Sequence, residues 1–206
     1  MSRKWIIGSG TYLDIVYYAW KRSHPEISIE KIEITQNPDH SFKMDTLDAL
    51  RPDEGTAFVA FDDRFGNFKR MELMQAVLAL GFKLEPYISP RSMLSENIQV
   101  GPNTFIGDGV LISHGTRIDY NSVLLPSAQI GSEAHVRSSC WIEPGTFIGD
   151  GAQIGAHSIL RSGAMVSAQV KVGRGCELGW PRRYDKDIAA KTIFDPRYNS
   201  PIYVYG

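Results

Sequence analysis

The sequence predicts a left-handed parallel β-helix preceded by a small Rossmann-like α/β domain. Three regularities predict the β-helix. A branched aliphatic residue returns at every sixth position, sixteen times in succession from Ile88 through Leu94, Val100 and Ile106 to Val172 and Leu178. A small side chain stands two residues before most of them, as at Thr104, Ser122, Ala128, Cys140 and Ala152. Gly, Asn or Ser often falls three residues after, as at Asn103, Gly109, Gly115, Asn121, Gly145 and Gly163. A helix repeats at about 3.6 residues and a strand at about 2, so neither generates this period. A solenoid of short strands does, with turns that need a left-handed backbone.

The first 87 residues follow another grammar. Lys4 to Gly10 reads as a short apolar strand running into a glycine turn, and Thr11 to Arg22 has helical spacing through Leu13, Val16, Tyr17 and Trp20. Ile27 to Ile34 alternates as a strand, Thr56 to Asp62 is a buried-type strand, and Phe68 to Phe82 is a second amphipathic helix. Strand–helix alternation of this kind predicts a parallel α/β unit. The expected division is 1–87 for this unit, 88–180 for the β-helix and 181–206 for a tail. In the tail, Gly179 to Tyr184 carries turn residues, Asp185 to Thr192 reads as a short helix and Pro201 to Gly206 as extended chain. A solenoid end exposes an unpaired β edge, so the tail is expected to cap it. Its Arg182, Arg183 and Arg197 offer the alternative of meeting a phosphate.

Charge is nearly balanced, with 22 basic and 23 acidic residues in 206. That argues against nucleic acid or an anionic membrane as partner. No apolar run approaches a membrane span, and Gly8 interrupts Trp5-Ile-Ile7 too early for a signal peptide, so a cytoplasmic protein is expected. Cys140 and Cys176 both occupy the small inward slot, 36 residues apart. That is two coils, about 10 Å, which is too far for a disulfide.

The residue before each aliphatic points outward. One outward column carries Phe105, Val123, Trp141 and Ile159, a second carries Leu111, Gln129, Phe147 and Met165, and the third carries Gln99, Arg117, His135, Gln153 and Lys171. Two apolar columns of that length predict subunit contacts, most simply in a homotrimer. Glu143 and Arg161, one coil apart, predict a stacked ion pair.

Several motifs together resemble the bacterial sugar acyltransferases of the sialic-acid and bacillosamine pathway type. They are Gly8-Ser-Gly10 after the first strand, Arg70 opening the second helix, Gly81-Phe-Lys, Tyr87-Ile-Ser-Pro90 at the junction, and the repeat itself. The resemblance covers nearly all of the chain to about Leu178. It implies a nucleotide-sugar held by the first domain, acetyl-coenzyme A lying between subunits of a trimer, and a histidine acting as base. Candidate nucleotide-sugar contacts are then Gly8, Ser9, Gly10, Thr11, Asp62, Asp63 and Arg70. The glycine turn offers N–H groups at a helix N-terminus, and the two aspartates end a strand where α/β sheets place ligands. Candidate coenzyme A contacts are Arg117, Arg161, Lys171 and Arg174. No metal is expected; a metal-dependent enzyme of the carbonic-anhydrase type would need histidines converging between subunits.

The chain departs from the family where the base should stand. The family's Val-x-His-Asp-Cys hexapeptide aligns with Val123-Leu-Leu-Pro-Ser-Ala128, which puts Pro126 in the histidine's place. The next hexapeptide, Gly131-Ser-Glu-Ala-His135-Val, fits the family's Gly-x-x-x-His-Ile. Two histidines are therefore candidate bases. His135 has basic neighbours, Arg117 and Lys171, that favour a neutral imidazole. His114 sits in a turn above which Ser132 and Asp150 stack. His157 reads as a surface turn residue. The expected function is acyl transfer, most simply of acetyl, from a coenzyme A thioester to an amino or hydroxyl group of a nucleotide-linked sugar in surface glycan synthesis. The alternative is a trimeric scaffold or nucleotide-sugar binder that has lost its base.

Overall fold

The computed structural model describes residues 3–204. The first unit is a three-stranded parallel sheet. Strands β1 (Arg3–Gly8), β2 (Ser28–Glu33) and β3 (Gly55–Ala60) lie in the order β2-β1-β3. Helix α1 (Gly10–Ser23) buries Tyr12, Leu13, Val16, Ala19 and Trp20, one stripe at helical spacing, while α2 (Phe68–Ala79) buries Arg70, Leu73, Met74 and Val77. The two stripes serve different cores. The α1 stripe joins Ile6, Phe58 and the β-helix, and the α2 stripe joins Trp5, Ile7, Val59 and Phe61.

From Tyr87 the chain winds through sixteen two-residue strands, ending at Glu177–Leu178. In each, the second residue is the aliphatic of the six-residue series; from Ile106 to Leu178 its side chain fills the solenoid core, Val100 packs partly against it, and Ile88 and Leu94, in the first coil, are each 36% exposed. Strands pair in parallel with those one coil away, Val123 with Trp141 and Leu124 with Ile142, so three flat faces stack along the axis. The corners take left-handed backbone at the residue three past every aliphatic from Leu94 to Val172, with φ from 55° at Asn103 to 81° at Gly163.

The first outward column does not form a subunit contact. Phe105, Val123, Trp141 and Ile159 are buried by this chain's own N-terminal unit, packed with Tyr12, Leu13, Val16, Trp20 and Tyr87. Tyr12 meets Trp141 edge-on at 5.0 Å between ring centroids. An apolar column needs a cover, and here a segment distant in sequence supplies it. We call this the docking face. The second column stays uncovered, with Phe147 43% and Met165 39% exposed.

A buried polar ladder fixes the same docking. At the corner between the His135 face and the docking face, Asn103 Nδ2 donates to Asn121 Oδ1 (2.8 Å) and Asn121 Nδ2 to Ser139 Oγ (2.9 Å). Asn103 Oδ1 also accepts the Val59 N–H of β3 at 2.6 Å. His157 is the next rung of this ladder, in the same left-handed conformation (φ 62°).

The solenoid outlasts its repeat. Arg183–Tyr184 pairs with Met165–Val166, Ile188 bridges to Val172, and Thr192–Phe194 pairs with the Glu177–Leu178 strand. Tyr184 and Phe194 fill the inward slots of this coil, which takes sixteen residues from Leu178 to Phe194. Ile202–Tyr203 then runs antiparallel to Thr192–Ile193 and closes the edge of the docking face. Asp185 to Thr192 is therefore a bridge and turn, not the expected helix, because Ile188 is drawn into the solenoid's pairing. Tyr205 and Gly206 lie outside the described residues.

Candidate functional site

The carboxyl end of the small sheet meets the docking face, where Asp63, Arg70, His157 and Arg161 come together, whereas His135, Arg117 and Lys171 stand on a different face of the β-helix. Gly8 pairs with Ala60, where a Cβ would sit 1.7 Å from the Ala60 carbonyl oxygen, so only glycine fits. The Ser9 N–H donates to that same carbonyl at 3.2 Å and is not free for a phosphate. Gly10 opens α1 at φ 69°, and a Cβ there would meet nothing within 4 Å, so the turn's outer side is clear. Thr11 lines a groove of about 550 Å³ together with Asp14, Tyr18, Leu125, Pro126 and Pro144. The corner where the resemblance places a base thus forms an apolar wall against α1.

Arg70 is corrected from ligand contact to structural core. It is 0% exposed. Its guanidinium donates to the carbonyls of Asn121 (3.2 Å), Asp62 (3.2 Å) and Cys140 (3.4 Å), and it stands 5.4 Å from the Trp141 ring centroid. Burial pulls its pKa down to about 10, which still leaves it charged at neutral pH. It bolts α2 to the β-helix.

Asp62 and Asp63 also have partners. Asp62 accepts from the Arg64 N–H (3.1 Å) and Nε (2.8 Å). Asp63 Oδ2 bonds Arg161 at 2.6 Å, and Arg161 further bonds Glu143 and Glu177, each at 2.8 Å. The stacked Glu143–Arg161 pair is present, but Arg161 is committed to three carboxylates rather than open to a coenzyme A phosphate. Arg117, Lys171 and Arg174 remain exposed. The Lys171 N–H is capped by Asp187 at 2.8 Å.

The histidines divide sharply. His114 is exposed, and only its backbone carbonyl is engaged, by the Glu133 N–H at 2.9 Å. Above it the Ser132 N–H donates to Asp150 at 2.8 Å. His135 is buried, and its Nε2 lies 2.8 Å from Asp119 Oδ1. A carboxylate can only accept, so Nε2 carries the proton of this bond. Sequence reasoning paired His135 with Arg117 and Lys171. Arg117 is indeed one coil away, but Lys171 stands beyond Gln153, and Asp119, sixteen residues back, is the partner that matters.

His157 is the residue that sequence reasoning missed. It is 6% exposed rather than a surface turn residue, and its ring stacks on Phe68 at 4.4 Å and 15°. It lines a cleft of about 570 Å³ with Asp63, Arg64, Phe65, Phe68, Arg161 and Glu177. Burial, then the Arg174 and Arg70 charges, lower its pKa to about 4, so it is neutral at physiological pH. Nothing in its slot marks it out, since Glu133 and Gln169 take the same left-handed position elsewhere in the repeat.

Both thiols are inert core groups. They are unpaired, and burial pushes Cys140 up to about 12 and raises Cys176. Among the described residues no three His, Cys, Asp or Glu side chains converge on one point, and no helix is long and apolar enough to cross a membrane.

This architecture, an N-terminal α/β unit docked on a hexapeptide-repeat left-handed β-helix, is shared with sugar acetyltransferases of known structure. PerB from Caulobacter crescentus, solved in complex with CoA and GDP-perosamine, matches with a TM-score of 0.79 at 20% identity, over 94% of this chain and 93% of that one. An asparagine-for-histidine variant of perosamine N-acetyltransferase from the same organism, bound to the same two molecules, gives the same values. WeeI from Acinetobacter baumannii AYE matches with a TM-score of 0.74 at 11% identity, over 98% of this chain and 100% of that one. At these identities it is the fold that is shared. In sequence, residues 83–178 match the pattern of the GMPPB C-terminal domain. No curated protein matches.

Proposed function

We propose that the chain transfers an acetyl group from acetyl-coenzyme A to an amino or hydroxyl group of a nucleotide-linked sugar, in the cytoplasm and in the service of surface glycan synthesis. The observation that carries this reading is the likeness over 94% of the chain to a protein solved with both CoA and GDP-perosamine bound. The likeness includes the small α/β unit as well as the solenoid.

His135 is the base in this reading, and Asp119 orients it. The acceptor's amine or hydroxyl attacks the thioester carbonyl, forming the new C–N or C–O bond. Nδ1 of His135 takes the proton released, the C–S bond breaks, and the imidazolium returns the proton to the departing thiolate. Asp119 stabilises the transient imidazolium. His114 has no such partner and is the weaker candidate. Arg117, Lys171 and Arg174 supply exposed positive charge for the phosphates of coenzyme A. Gly10 and Thr11, with the free side of their turn, are the contacts left for the nucleotide. Release of free thiol from acetyl-coenzyme A that depends on a nucleotide-linked amino sugar tests the reaction.

Pro126 favours a second reading, a nucleotide-sugar binder without turnover. It would show sugar-nucleotide binding and no thiol release.

We further propose a homotrimer built on the second outward column alone, since Met93, Phe147 and Met165 are exposed along it. Light scattering at micromolar concentration is expected to give three times the protomer mass, and Phe147→Glu to shift it towards the monomer. A monomeric wild type contradicts the trimer.

A further inference from the structure

The cleft beside His157 has three features that its own packing does not explain. The first is backbone strain. Phe65, Gly66 and Asn67 are consecutive left-handed residues, with φ of 56°, 60° and 66°. For a non-glycine residue that conformation costs roughly 1–2 kcal/mol, and such strain gathers at ligand sites. The second is unmet polarity. His157, which lines the cleft, has its Nδ1 buried without a partner among the described residues. Native structures rarely leave buried polar atoms unpaired. The third is aromatic surface: Phe65 is 55% and Phe68 54% exposed at the cleft wall.

The walls also fix the class of ligand. Exposed rings suit the apolar face of a pyranose. Asp63, Arg161 and Glu177, held to one another at 2.6–2.8 Å, present rigid donors and acceptors of the kind that read hydroxyl groups. The charges nearly cancel, which suits an uncharged ring better than a diphosphate. The volume, about 570 Å³, accommodates a sugar with room to spare.

We propose that this cleft holds the sugar of the acceptor, with the His157 imidazole hydrogen-bonding a ring substituent and Phe65 and Phe68 covering the ring's apolar face. This rests on the acyl-transfer reading for the identity of the acceptor. His157 acts here as a positioning residue. Its pKa of about 4 makes it a poor base at neutral pH but a good neutral hydrogen-bond partner.

The test is calorimetric binding of GDP-perosamine and of GDP alone to the full chain, without acetyl-coenzyme A. Two variants suit the left-handed positions they occupy and so should fold: His157→Gly and Phe65→Gly. Wild type should bind GDP-perosamine more tightly than GDP. His157→Gly should weaken GDP-perosamine about tenfold, the worth of one well-placed hydrogen bond, and leave GDP unchanged. Phe65→Gly relieves strain, so its Tm should hold or rise while GDP-perosamine binding falls, a combination that a merely structural role would not give. Equal losses for GDP and GDP-perosamine would assign the cleft to the nucleotide and overturn the proposal. Unchanged binding in both variants, or a wild type indifferent to the sugar, would overturn it too. Sugar binding through His157 with no turnover would sink the acyl-transfer reading alone, and turnover unaffected by His157→Gly would sink the cleft alone.

Discussion

Replacing His135 by alanine is expected to lower kcat for acetyl transfer by about 10²–10⁴-fold, the usual worth of a general base. KM for both substrates should move little, because the imidazole acts on a proton in flight rather than holding either molecule. Asp119→Asn should fall in the same direction, since an amide can accept the Nε2 hydrogen but cannot balance the charge of an imidazolium. The double variant should be no worse than His135→Ala, because the two groups sit 2.8 Å apart and act as one unit. His114→Ala should retain full activity. Steady-state kinetics decide it: an active His135→Ala enzyme removes His135 as base.

Arg70→Ala is expected to destabilise the fold by roughly 3–5 kcal/mol, because it would leave the carbonyls of Asn121, Asp62 and Cys140 buried and unpaired and open a cavity beneath Trp141. Arg70→Met should lose less, because it refills the volume while still orphaning the carbonyls. In a chain of this size the alanine variant should melt roughly 10 °C lower. Arg70 in the fold titrates near 10, depressed below an arginine's ordinary value by burial. A depressed cation binds fewer protons folded than unfolded, so its linkage appears only at alkaline pH. The loss should therefore be flat between about pH 6 and 8. If Arg70→Ala melts like wild type, the guanidinium does not bolt α2 to the solenoid.

The β-helix was legible because every residue in a period of six has a slot. The aliphatics from Ile106 to Leu178 are each the inward residue of a strand, and the slot three residues later is left-handed where Gly, Asn or Ser stands. The cover over Phe105 and Trp141 was not legible. An outward apolar column demands burial but does not say by whom, and a domain of the same chain satisfies the demand as well as a second copy. Arg70 did carry a signal: it falls on the stripe of Leu73, Met74 and Val77, at core spacing, and it is the resemblance that makes it a candidate ligand contact. The added coil after Leu178 was hidden because it spans sixteen residues and fills its slots with Tyr184, Ile188 and Phe194. The cleft of His157 depends on which corner faces the N-terminal unit, as its lining by Asp63, Phe65 and Phe68 shows, and no single-sequence period encodes that.

Acetyl transfer is measured most directly as thiol release by the purified chain given acetyl-coenzyme A and GDP- or UDP-linked amino sugars, with the sugar product weighed by mass spectrometry. The predicted result is one thiol released per acetyl group gained by the sugar, dependent on both substrates and abolished in His135→Ala. Folded wild-type protein that binds a sugar nucleotide yet releases no thiol above the uncatalysed rate with any of them would contradict it.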